Sequence, residues 1–362
     1  MSSRHSGDHA PKTIRDVARV AGVSLGTVSR VIRSAPDVSP VLRERVEQVM
    51  VELRYKPYTR MRAAENKVPG ARNISFVLSN RSLQHPLHSR ILHGVEAFCS
   101  EADYAVVYRS FKYLPQMPPG DIQLPELLKR HGAASSVILA GTNYRNLLAA
   151  LKTQGISYVT LANNVIGEQS TAPGYDRVRF DDVQGTADAT RYLLELGHRD
   201  IWFIGDPSTP WCRDRYAAYS RVMAETGLTP RELAGGVSDD QWNDGQHTFD
   251  LLYERKVPIT AVLAGTEETA YGVRESIRRH HLEIPRDISL IGFDDQYEEQ
   301  RVPGMTTVRV DSEEIGRQLA KVAIQKIHNP HTPVPEVVVP TRLIRRSSCR
   351  PIFENVRNQA VV

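Results

Sequence analysis

The segment from Thr13 to Arg62 carries the signals of three short helices, and it constrains the fold of the chain more than any other feature. Thr13 precedes apolar residues at helical spacing, and Asp16 can complete a capping box with it. Gly22 ends the first helix, because glycine adopts the left-handed conformation without steric cost. Ser24 then caps a second helix, and a third begins at Ser39-Pro40 and spans roughly residues 40–53. Two helices joined by so tight a turn predict a helix-turn-helix, which places its second helix in the DNA major groove.

The exposed residues early in the second helix are the candidates for contacts with DNA, because a recognition helix touches base edges with its N-terminal residues. Arg30 can donate two hydrogen bonds to one guanine, and Leu25 suits a thymine methyl group. Thr27 and Ser29 suit phosphate oxygens. Val28, Val31 and Ile32 form the inward face. The candidate DNA-binding residues of the helices are Thr13, Ser24, Leu25, Gly26, Thr27, Ser29 and Arg30.

The charge of the chain is concentrated at its N-terminal end. Residues 1–62 carry 12 Lys and Arg against 6 Asp and Glu, whereas the remaining residues carry 34 against 36. The basic excess therefore coincides with the predicted helix-turn-helix. This predicts that a polyanion binds there through phosphate neutralisation, with an affinity that falls steeply as salt rises.

Length and composition exclude several classes of protein. At 362 residues the chain predicts two or three folding units. No apolar run approaches the roughly 18–20 residues of a membrane span, and the N-terminus lacks the apolar core of a signal peptide. Cys99, Cys212 and Cys349 are odd in number and widely spaced, which argues against structural disulfides and a zinc site. We therefore expect a cytoplasmic protein without a metal or cofactor.

Beyond residue 72, uniformly apolar strands alternate with helices in two successive runs. The first run begins with the strand Ile74–Leu78, and the second begins with Ile201–Ile204. Buried strands separated by helices predict parallel sheets wrapped by helices, and two runs predict two such units. The polar residues 1–11 and the tail after Ser347 are expected to be loosely ordered.

Four ordered blocks of this sequence resemble the lactose repressor (LacI/GalR) family of bacterial transcriptional regulators. The first is TIRDVARVAGVSLGTVSRVI followed by VSPVLRERVEQVMVELRYKP, and the others are LLELGHRDIWFIGD, DISLIGFDD and MTTVRVDSEEIGRQLA. The resemblance implies an N-terminal all-α helix-turn-helix domain followed by α/β structure. The α/β part would be two doubly wound parallel-sheet lobes resembling periplasmic sugar-binding proteins, with a ligand between them. It also implies a repressor of carbohydrate-utilisation genes that responds to a sugar-like effector.

This resemblance suggests a division of the chain. It predicts a disordered N-terminus at 1–11, a helix-turn-helix domain at 12–58, a hinge at 59–71, a two-lobed effector-binding and dimerisation domain at 72–346 and a tail at 347–362. The chain would cross between the lobes near Arg199, Arg309 and Thr332. The first lobe then comprises 72–198 and 309–331, and the second comprises 199–308 and 333–346.

The effector cleft should be lined by loops at the carboxyl ends of the strands. The resemblance favours Asp294, just after the strand ending at Phe293, as an acceptor for ligand hydroxyls; a structural cap for the following loop is the alternative. Arg215 matches an arginine that family members place in the cleft, and a surface salt bridge is the alternative role. Trp242 matches an aromatic residue of the family that stacks on a sugar ring, and ordinary partial burial without a binding role is the alternative. His85 occupies a position where the family often has asparagine, and a solvated loop histidine is the alternative.

Weaker candidates, and one departure from the family, complete the predicted cleft. The family usually has Asn-Asp where this chain has Thr266-Glu267, so the ligand is expected to differ from that of well-known sugar repressors. All candidate effector-binding residues are His85, Asn163, Asp181, Trp211, Arg213, Arg215, Trp242, Thr266, Phe293 and Asp294.

The hinge also departs from the family. The family places Tyr, Pro and Arg before a leucine that wedges into the minor groove, and this chain has Tyr55 and Arg62 but Ala64 at the wedge position. Alanine is too small to unstack a base step, so Met61, one helical turn earlier, is the candidate substitute. A hinge that bends DNA less or stays partly unfolded is the alternative. Tyr55, Met61 and Arg62 complete the predicted DNA-binding residues.

A single helix-turn-helix covers too few bases for useful specificity, which predicts a homodimer on a pseudo-palindromic operator. The helix 87–102 is a candidate dimer face, and residues 347–362 lack the leucine heptads of the family's tetramers. The nearest alternative keeps the fold but uses a purine or a phosphoprotein as co-repressor. An enzyme of sugar metabolism with a DNA-binding domain lacks any nucleophile, dinucleotide or metal motif. The N-terminus and the basic charge argue against a solute-binding component of transport.

Overall fold

The chain forms two compact units, Met1–Val68 and Pro69–Val362. The computed structural model describes residues 13–32, 38–53, 73–129, 135–167, 176–206, 208–234, 240–295 and 304–352.

The first unit contains three helices, α1 (Ile14–Ala21), α2 (Leu25–Ile32) and α3 (Pro40–Glu52). The backbone N–H of Thr13 donates to Asp16 at 2.8 Å, and the Thr13 hydroxyl accepts from the Asp16 backbone, so the predicted capping box is present. Gly22 ends α1 with a φ of 65°. The core of this unit consists of Val17, Ala18, Ala21, Val28, Val31, Val46 and Val49. The side chain of Ile32 lies outside the described residues.

The first lobe of the second unit is a six-stranded parallel sheet in the order β13-β7-β5-β3-β1-β2. Its strands are β1 (Asn73–Ser79), β2 (Ala105–Phe111), β3 (Ser135–Leu139), β5 (Tyr158–Leu161), β7 (Arg177–Phe180) and β13 (Val337–Val339). A separate short pair is formed by β4 (Asn143–Tyr144) and β6 (Val165–Ile166). The helices are α4 (Pro86–Glu101), α5 (Glu126–Lys129), α6 (Arg145–Thr153) and α11 (Ser312–His328).

The second lobe is built around the sheet β14-β12-β11-β10-β8-β9, in which only β14 is antiparallel among the described strands. Its strands are β8 (Ile201–Gly205), β9 (Arg231–Ala234), β10 (Ala261–Ala264), β11 (Ser289–Asp294), β12 (Thr306–Arg309) and β14 (Arg342–Ile344). The helices are α7 (Asp182–Glu195), α8 (Pro210–Glu225), α9 (Gln241–Glu254) and α10 (Glu267–Arg279). The predicted fold class, a helix-turn-helix followed by two α/β lobes, is confirmed.

Two of the three predicted lobe crossings are wrong in position. The chain enters the second lobe at Asp181 and not near Arg199, because α7 already packs on α8, β12 and β14. Gly185 makes this packing possible, since a Cβ there would meet the side chains of Thr341 and Val308. The last crossing follows Val339 and not Thr332, because β13 pairs with β7 in the first sheet. The chain returns to the first lobe between β12 and α11, as expected near Arg309.

The beginning of the C-terminal tail is also better ordered than expected. The Ser348 hydroxyl accepts from the backbone N–H of Thr306 at 2.8 Å, and the Ile352 backbone N–H donates to Leu196 at 2.8 Å. The polar residues that suggested a loose tail therefore satisfy backbone groups of the second lobe. Residues 353–362 lie outside the described part of the chain.

Candidate functional site

Helix α2 presents Leu25, Gly26 and Arg30, three of the predicted DNA-contacting residues, on its exposed surface. The Ser24 hydroxyl accepts from the backbone N–H of Thr27 at 3.1 Å, which fixes the start of the helix. Leu25 is 45% exposed, and Gly26 and Arg30 are also exposed. Because Val28 is fully buried in the core, the surface around Leu25 and Arg30 faces away from it. This is the geometry that a recognition helix requires.

Of Thr13, Tyr55, Met61 and Arg62, which are also predicted to bind DNA, the structure describes only Thr13. Thr13 is exposed, but its hydroxyl is already bonded to Asp16, and these bonds lower the pKa of the Asp16 carboxyl. Tyr55, Met61 and Arg62 lie outside the described residues, so their roles stay predictions.

A cleft between the two lobes contains two adjoining cavities. The larger chamber has a volume of about 460 Å³ and the smaller chamber about 320 Å³. The larger chamber is lined by Arg81, Thr142, Tyr144, Ile166, Ile204, Gly205, Asp206, Ser208, Thr209, Trp211, Cys212, Gln241, Asp244, Gly245, Thr266 and Thr269. The smaller chamber is lined by Arg81, Ser82, Gln84, His85, Leu87, His88, Asn164, Phe180, Trp211, Arg215, Gln241, Thr266, Glu268 and Asp294. Arg81, Trp211, Gln241 and Thr266 border both chambers.

Arg215 lines the smaller chamber and binds two buried carboxylates, of which Asp294 also lines the chamber. Its Nε donates to Asp182 at 2.7 Å and its Nη2 donates to Asp294 at 3.2 Å. Its Nη1 donates to the carbonyl oxygen of Gly265, and the guanidinium lies 3.5 Å from the centroid of the Phe293 ring. Burial raises the pKa of the Asp182 carboxyl to about 6, although the Arg215 charge opposes this shift. This buried network holds Arg215 in one orientation.

Polar contacts between described residues join the two lobes around the cleft. Asn163 of the first lobe donates to Asp182, which begins the second. The Arg81 guanidinium lies over the Trp211 ring, 5.5 Å from its centroid. His85 Nε2 lies 3.9 Å from a Glu268 oxygen across the smaller chamber. These contacts place charged groups of both lobes against any molecule that occupies the cleft.

His88, beside His85, is the most strongly perturbed histidine of the cleft. It is 3% exposed, and burial lowers its pKa to about 3. The charges of His85 and Arg81 lower it further. Among the described residues, neither His85 Nδ1 nor His88 Nδ1 has a hydrogen-bond partner. His88 is therefore a neutral polar side chain in the wall of the smaller chamber at physiological pH.

Five of the ten predicted effector residues line the cleft: His85, Trp211, Arg215, Thr266 and Asp294. Thr266 also caps α10 through a bond from the Thr269 backbone and donates to Gln241 at 2.8 Å. The adjacent Glu267 is buried and accepts from Tyr271. Of the two residues that replace the family's usual Asn-Asp pair, only Thr266 therefore faces the chambers.

The other five predicted residues do not line either chamber. Asn163 and Phe293 belong to the buried network around Arg215. Asn163 donates to Asp182, and the Phe293 ring lies under Arg215. Asp181 caps α7 by accepting from the Gln184 backbone. Arg213 is exposed beside Asp214, and Trp242 is 40% exposed on α9. Capping holds Asp181 at the start of α7, the buried network holds Asn163 and Phe293, and Arg213 and Trp242 are exposed on helices, so their roles in effector binding stay predictions.

Sequence reasoning missed several residues that do line the cleft. Arg81 follows β1, Asn164 lies next to the predicted Asn163, and Gln241 lies next to Trp242. Glu268 lies two residues after Thr266 and faces the smaller chamber. For Arg81 the position directly after a strand was an available signal, because the carboxyl ends of parallel strands meet at one edge.

The described residues show neither of two other functional features. They contain no group of three or more His, Cys, Asp or Glu side chains arranged to hold a metal ion. No helix in the described ranges is long and apolar enough to cross a membrane.

Two family models match this chain. Residues 13–58 match the bacterial regulatory proteins of the lacI family, and residues 190–349 match the periplasmic binding protein-like domain. The first match covers the helix-turn-helix, and the second covers most of the second lobe and the end of the first.

Whole-chain relatives agree with both models. The transcriptional regulator DegA of Bacillus subtilis (strain 168) is 27% identical, covering 94% of this chain and 98% of its own. The transcriptional regulator GalR of Escherichia coli (strain K12) is 29% identical, and the match covers 93% of this chain and 95% of GalR. The solved structure of the regulator CelR with cellobiose is 26% identical, with a TM-score of 0.65, covering 93% of this chain and 99% of its own. These relatives are transcriptional regulators and not enzymes.

Proposed function

The chain belongs to the lacI family of bacterial regulatory proteins, and we propose that it is a repressor of carbohydrate-utilisation genes whose operator affinity is changed by a sugar-like effector. One observation carries this proposal. The same chain joins a helix-turn-helix with an exposed recognition face to a two-lobed domain with a polar cleft.

The helix-turn-helix supplies sequence recognition. Arg30 and Leu25 are exposed on α2, where a guanidinium can bond guanine and an aliphatic side chain can contact a thymine methyl group. The polar Ser24 and Thr27 at the helix start suit backbone phosphates, which fix the register on the duplex. The basic excess of residues 1–62 adds sequence-independent attraction.

The cleft supplies the response to an effector. Arg215 and Asp294 present donors and an acceptor to a ligand with several hydroxyl groups, as in a sugar. The CelR structure contains cellobiose, which supports a sugar over the purine or phosphoprotein alternative for this chain. Whether Thr266 and His85 contact the ligand is part of the same proposal, since both line the cleft.

The lobe crossings supply the link between cleft and DNA. The Asp181 backbone N–H donates to Val339, and the Thr341 hydroxyl donates to the Asp181 carbonyl, so two of the crossings lie side by side. Closure of the cleft around a ligand would rotate the lobes about these strands. In a homodimer, that rotation changes the spacing of the two hinges and therefore the fit of two helix-turn-helix units to paired half-sites. The ligand acts to the extent that it binds one arrangement better than the other.

A dimer and a cytoplasmic location complete the proposal. One helix-turn-helix contacts a half-site, so a pseudo-palindromic operator needs two copies of the chain. The exposed side of α4 is the proposed dimer face. Bacterial operators lie in the cytoplasm, so a chain that binds them acts there.

The proposal is tested by selecting genomic fragments with the purified full-length chain and footprinting the enriched DNA. We expect protection of an inverted repeat, and we expect a neutral or acidic sugar to change the protected fraction. The matched control is Arg30→Ala, which leaves the core of the first unit intact because Arg30 is exposed. Failure to enrich any inverted repeat, with and without sugars, would reject the proposal.

A further inference from the structure

We propose that the effector carries an oxyanion, a carboxylate or a phosphate, which Arg81 binds at the junction of the two chambers. This inference rests on the proposed function, because it names the chemical class of the ligand in the same cleft. It adds a binding residue, Arg81, that follows β1 and belongs to the first lobe.

Arg81 is the cation of the cleft that lacks a carboxylate partner among the described residues. Its Nε donates to the Thr142 hydroxyl at 2.8 Å, and its guanidinium lies over Trp211. These contacts hold the guanidinium plane in place, while its two terminal nitrogens have no protein partner within the described residues. Two adjacent nitrogens of this kind match the two oxygens of a carboxylate or phosphate.

The acidic groups of the chambers do not supply the missing partner. Four carboxylates line the chambers, those of Asp206, Asp244, Glu268 and Asp294. Asp294 binds Arg215, and Glu268 faces His85. Asp206 accepts bonds from the backbone and hydroxyl of Ser208. No carboxylate of the described residues lies within 4.0 Å of the Arg81 nitrogens. The half-buried Arg81 guanidinium lies beside the Trp211 indole, and an anion from outside the chain would supply the charge partner that the described residues do not give it.

Two helix ends reinforce the positive potential around Arg81. Helices α4 and α8 begin at Pro86 and Pro210, and neither preceding residue, His85 or Thr209, caps its helix with a side-chain hydrogen bond. In contrast, α7 and α10 are capped by Asp181 and Thr266. The unbonded N–H groups at a helix start attract anions.

A buried donor provides a third and independent observation. His88 lies in the wall of the smaller chamber, is 3% exposed, and its Nδ1 has no partner among the described residues. A neutral imidazole can donate one hydrogen bond to an oxygen of the ligand. Arg81 thus gives the first-lobe wall a positive charge, and His88 adds a neutral polar group, whereas Asp294 gives the second-lobe wall an acceptor. An acidic sugar carries both the negative charge that matches Arg81 and the hydroxyl groups that can donate to Asp294.

The test compares matched ligands on the full-length chain by isothermal titration calorimetry. Each set contains a neutral sugar, its uronic acid and its 6-phosphate: glucose, glucuronate and glucose 6-phosphate, with the corresponding galactose set. We expect an acidic member to bind at least about tenfold more tightly than its neutral counterpart, because a charge-assisted hydrogen bond pair adds to the hydroxyl contacts. Preference for the uronate or for the phosphate identifies which oxyanion the site takes.

Variants separate Arg81 from the rest of the cleft. Arg81→Gln should weaken binding of the acid much more than binding of the neutral sugar and so abolish the preference for the acid, and Arg81→Lys should restore part of that preference. The control is Arg213→Gln, since Arg213 is exposed and lines neither chamber. Thermal melting of each variant verifies folding.

The inference is overturned if no acid in the panel binds more tightly than its neutral counterpart, or if Arg81→Gln weakens the acid and the neutral sugar equally. Footprinting without ligand distinguishes this failure from failure of the proposed function. A chain that protects an inverted repeat but prefers neutral sugars is still a repressor and has no oxyanion site.

Discussion

The Nε of Arg215 lies 2.7 Å from a carboxylate oxygen of Asp182, and both side chains are at most 3% exposed. Asp294 is the second acid of this network. Removing the arginine leaves two buried carboxylates without their counter-charge. We therefore expect Arg215→Met to lower the free energy of unfolding of the second unit by about 3–5 kcal/mol.

Urea unfolding followed by tryptophan fluorescence measures this change, because all three tryptophans, Trp202, Trp211 and Trp242, lie in the second unit. Arg213→Met is the matched control on the same helix, since Arg213 is exposed beside Asp214. We expect the control to change the unfolding free energy by less than about 0.5 kcal/mol. Equal effects of the two substitutions would contradict a structural role for the buried network.

His88 makes the stability of the first lobe depend on pH. Burial holds its folded-state pKa near 3, below the usual value of 6.5. As the pH falls below 6.5, the unfolded chain binds a proton at this residue and the folded chain does not until about pH 3. The stability supplied by His88 is therefore complete above pH 6.5 and is lost with falling pH, at up to about 1.4 kcal/mol per pH unit.

The measurement is the thermal midpoint of the wild-type chain and of His88→Gln between pH 7 and pH 4.5. We expect the wild-type midpoint to fall more steeply on acidification than that of the variant. His93→Gln is the control, because His93 is exposed on the same helix. Parallel curves for wild type and His88→Gln would show that His88 contributes nothing to acid sensitivity.

Local signals in the sequence predict the first unit in detail. Thr13 with Asp16, Gly22 and Ser24 fix the helix ends through contacts with residues at most a few positions away. Contacts of this kind depend only on how many positions separate two residues along the sequence. Asp294 and Thr266 follow the same logic in the cleft, since each lies at the end of a buried parallel strand.

The remaining site residues depend on packing that spacing does not encode. Asp181 and Asp182 are adjacent, yet one caps α7 and the other binds Arg215, according to how α7 lies on the second sheet. Arg213 and Arg215 are two residues apart on α8 and therefore point in different directions. The first crossing is wrong in position for the same reason, since the apolar pattern of α7 does not tell which sheet it covers.

The crossing of α4 and α11 depends on two glycines. A Cβ at Gly94 would meet the carbonyl of Glu313, and a Cβ at Gly316 would meet the carbonyl of Ile91. Backbone atoms cannot rotate away, so Gly94→Ala must separate the helices. We expect a loss of about 1–3 kcal/mol in unfolding free energy.

Chemical unfolding followed by circular dichroism tests this packing. Gly120→Ala is the control, because a Cβ at Gly120 would meet no atom within 4 Å. We expect the control to be neutral. A Gly94→Ala chain as stable as Gly120→Ala would mean that the two helices do not approach this closely in solution.

The hinge prediction concerns residues outside the described part of the chain. Since alanine at position 64 has too little side chain to unstack a base step, Met61 is the predicted wedge. We expect Met61→Ala to weaken operator binding more than Ala64→Gly does. A gel-shift titration of both variants decides between them, and equal, negligible effects would remove the wedge proposal.

Arg30 is expected to read a base and not only a phosphate, because it is exposed on the recognition helix, two residues beyond the buried Val28. Arg30→Ala should cost about 1–3 kcal/mol of operator binding and relax specificity at one base pair of each half-site. Binding to a library of single-base operator variants measures both effects. Arg19→Ala, on the first helix, should weaken binding to all variants alike, if at all. If Arg30→Ala also weakens every operator equally, Arg30 contacts the DNA backbone instead.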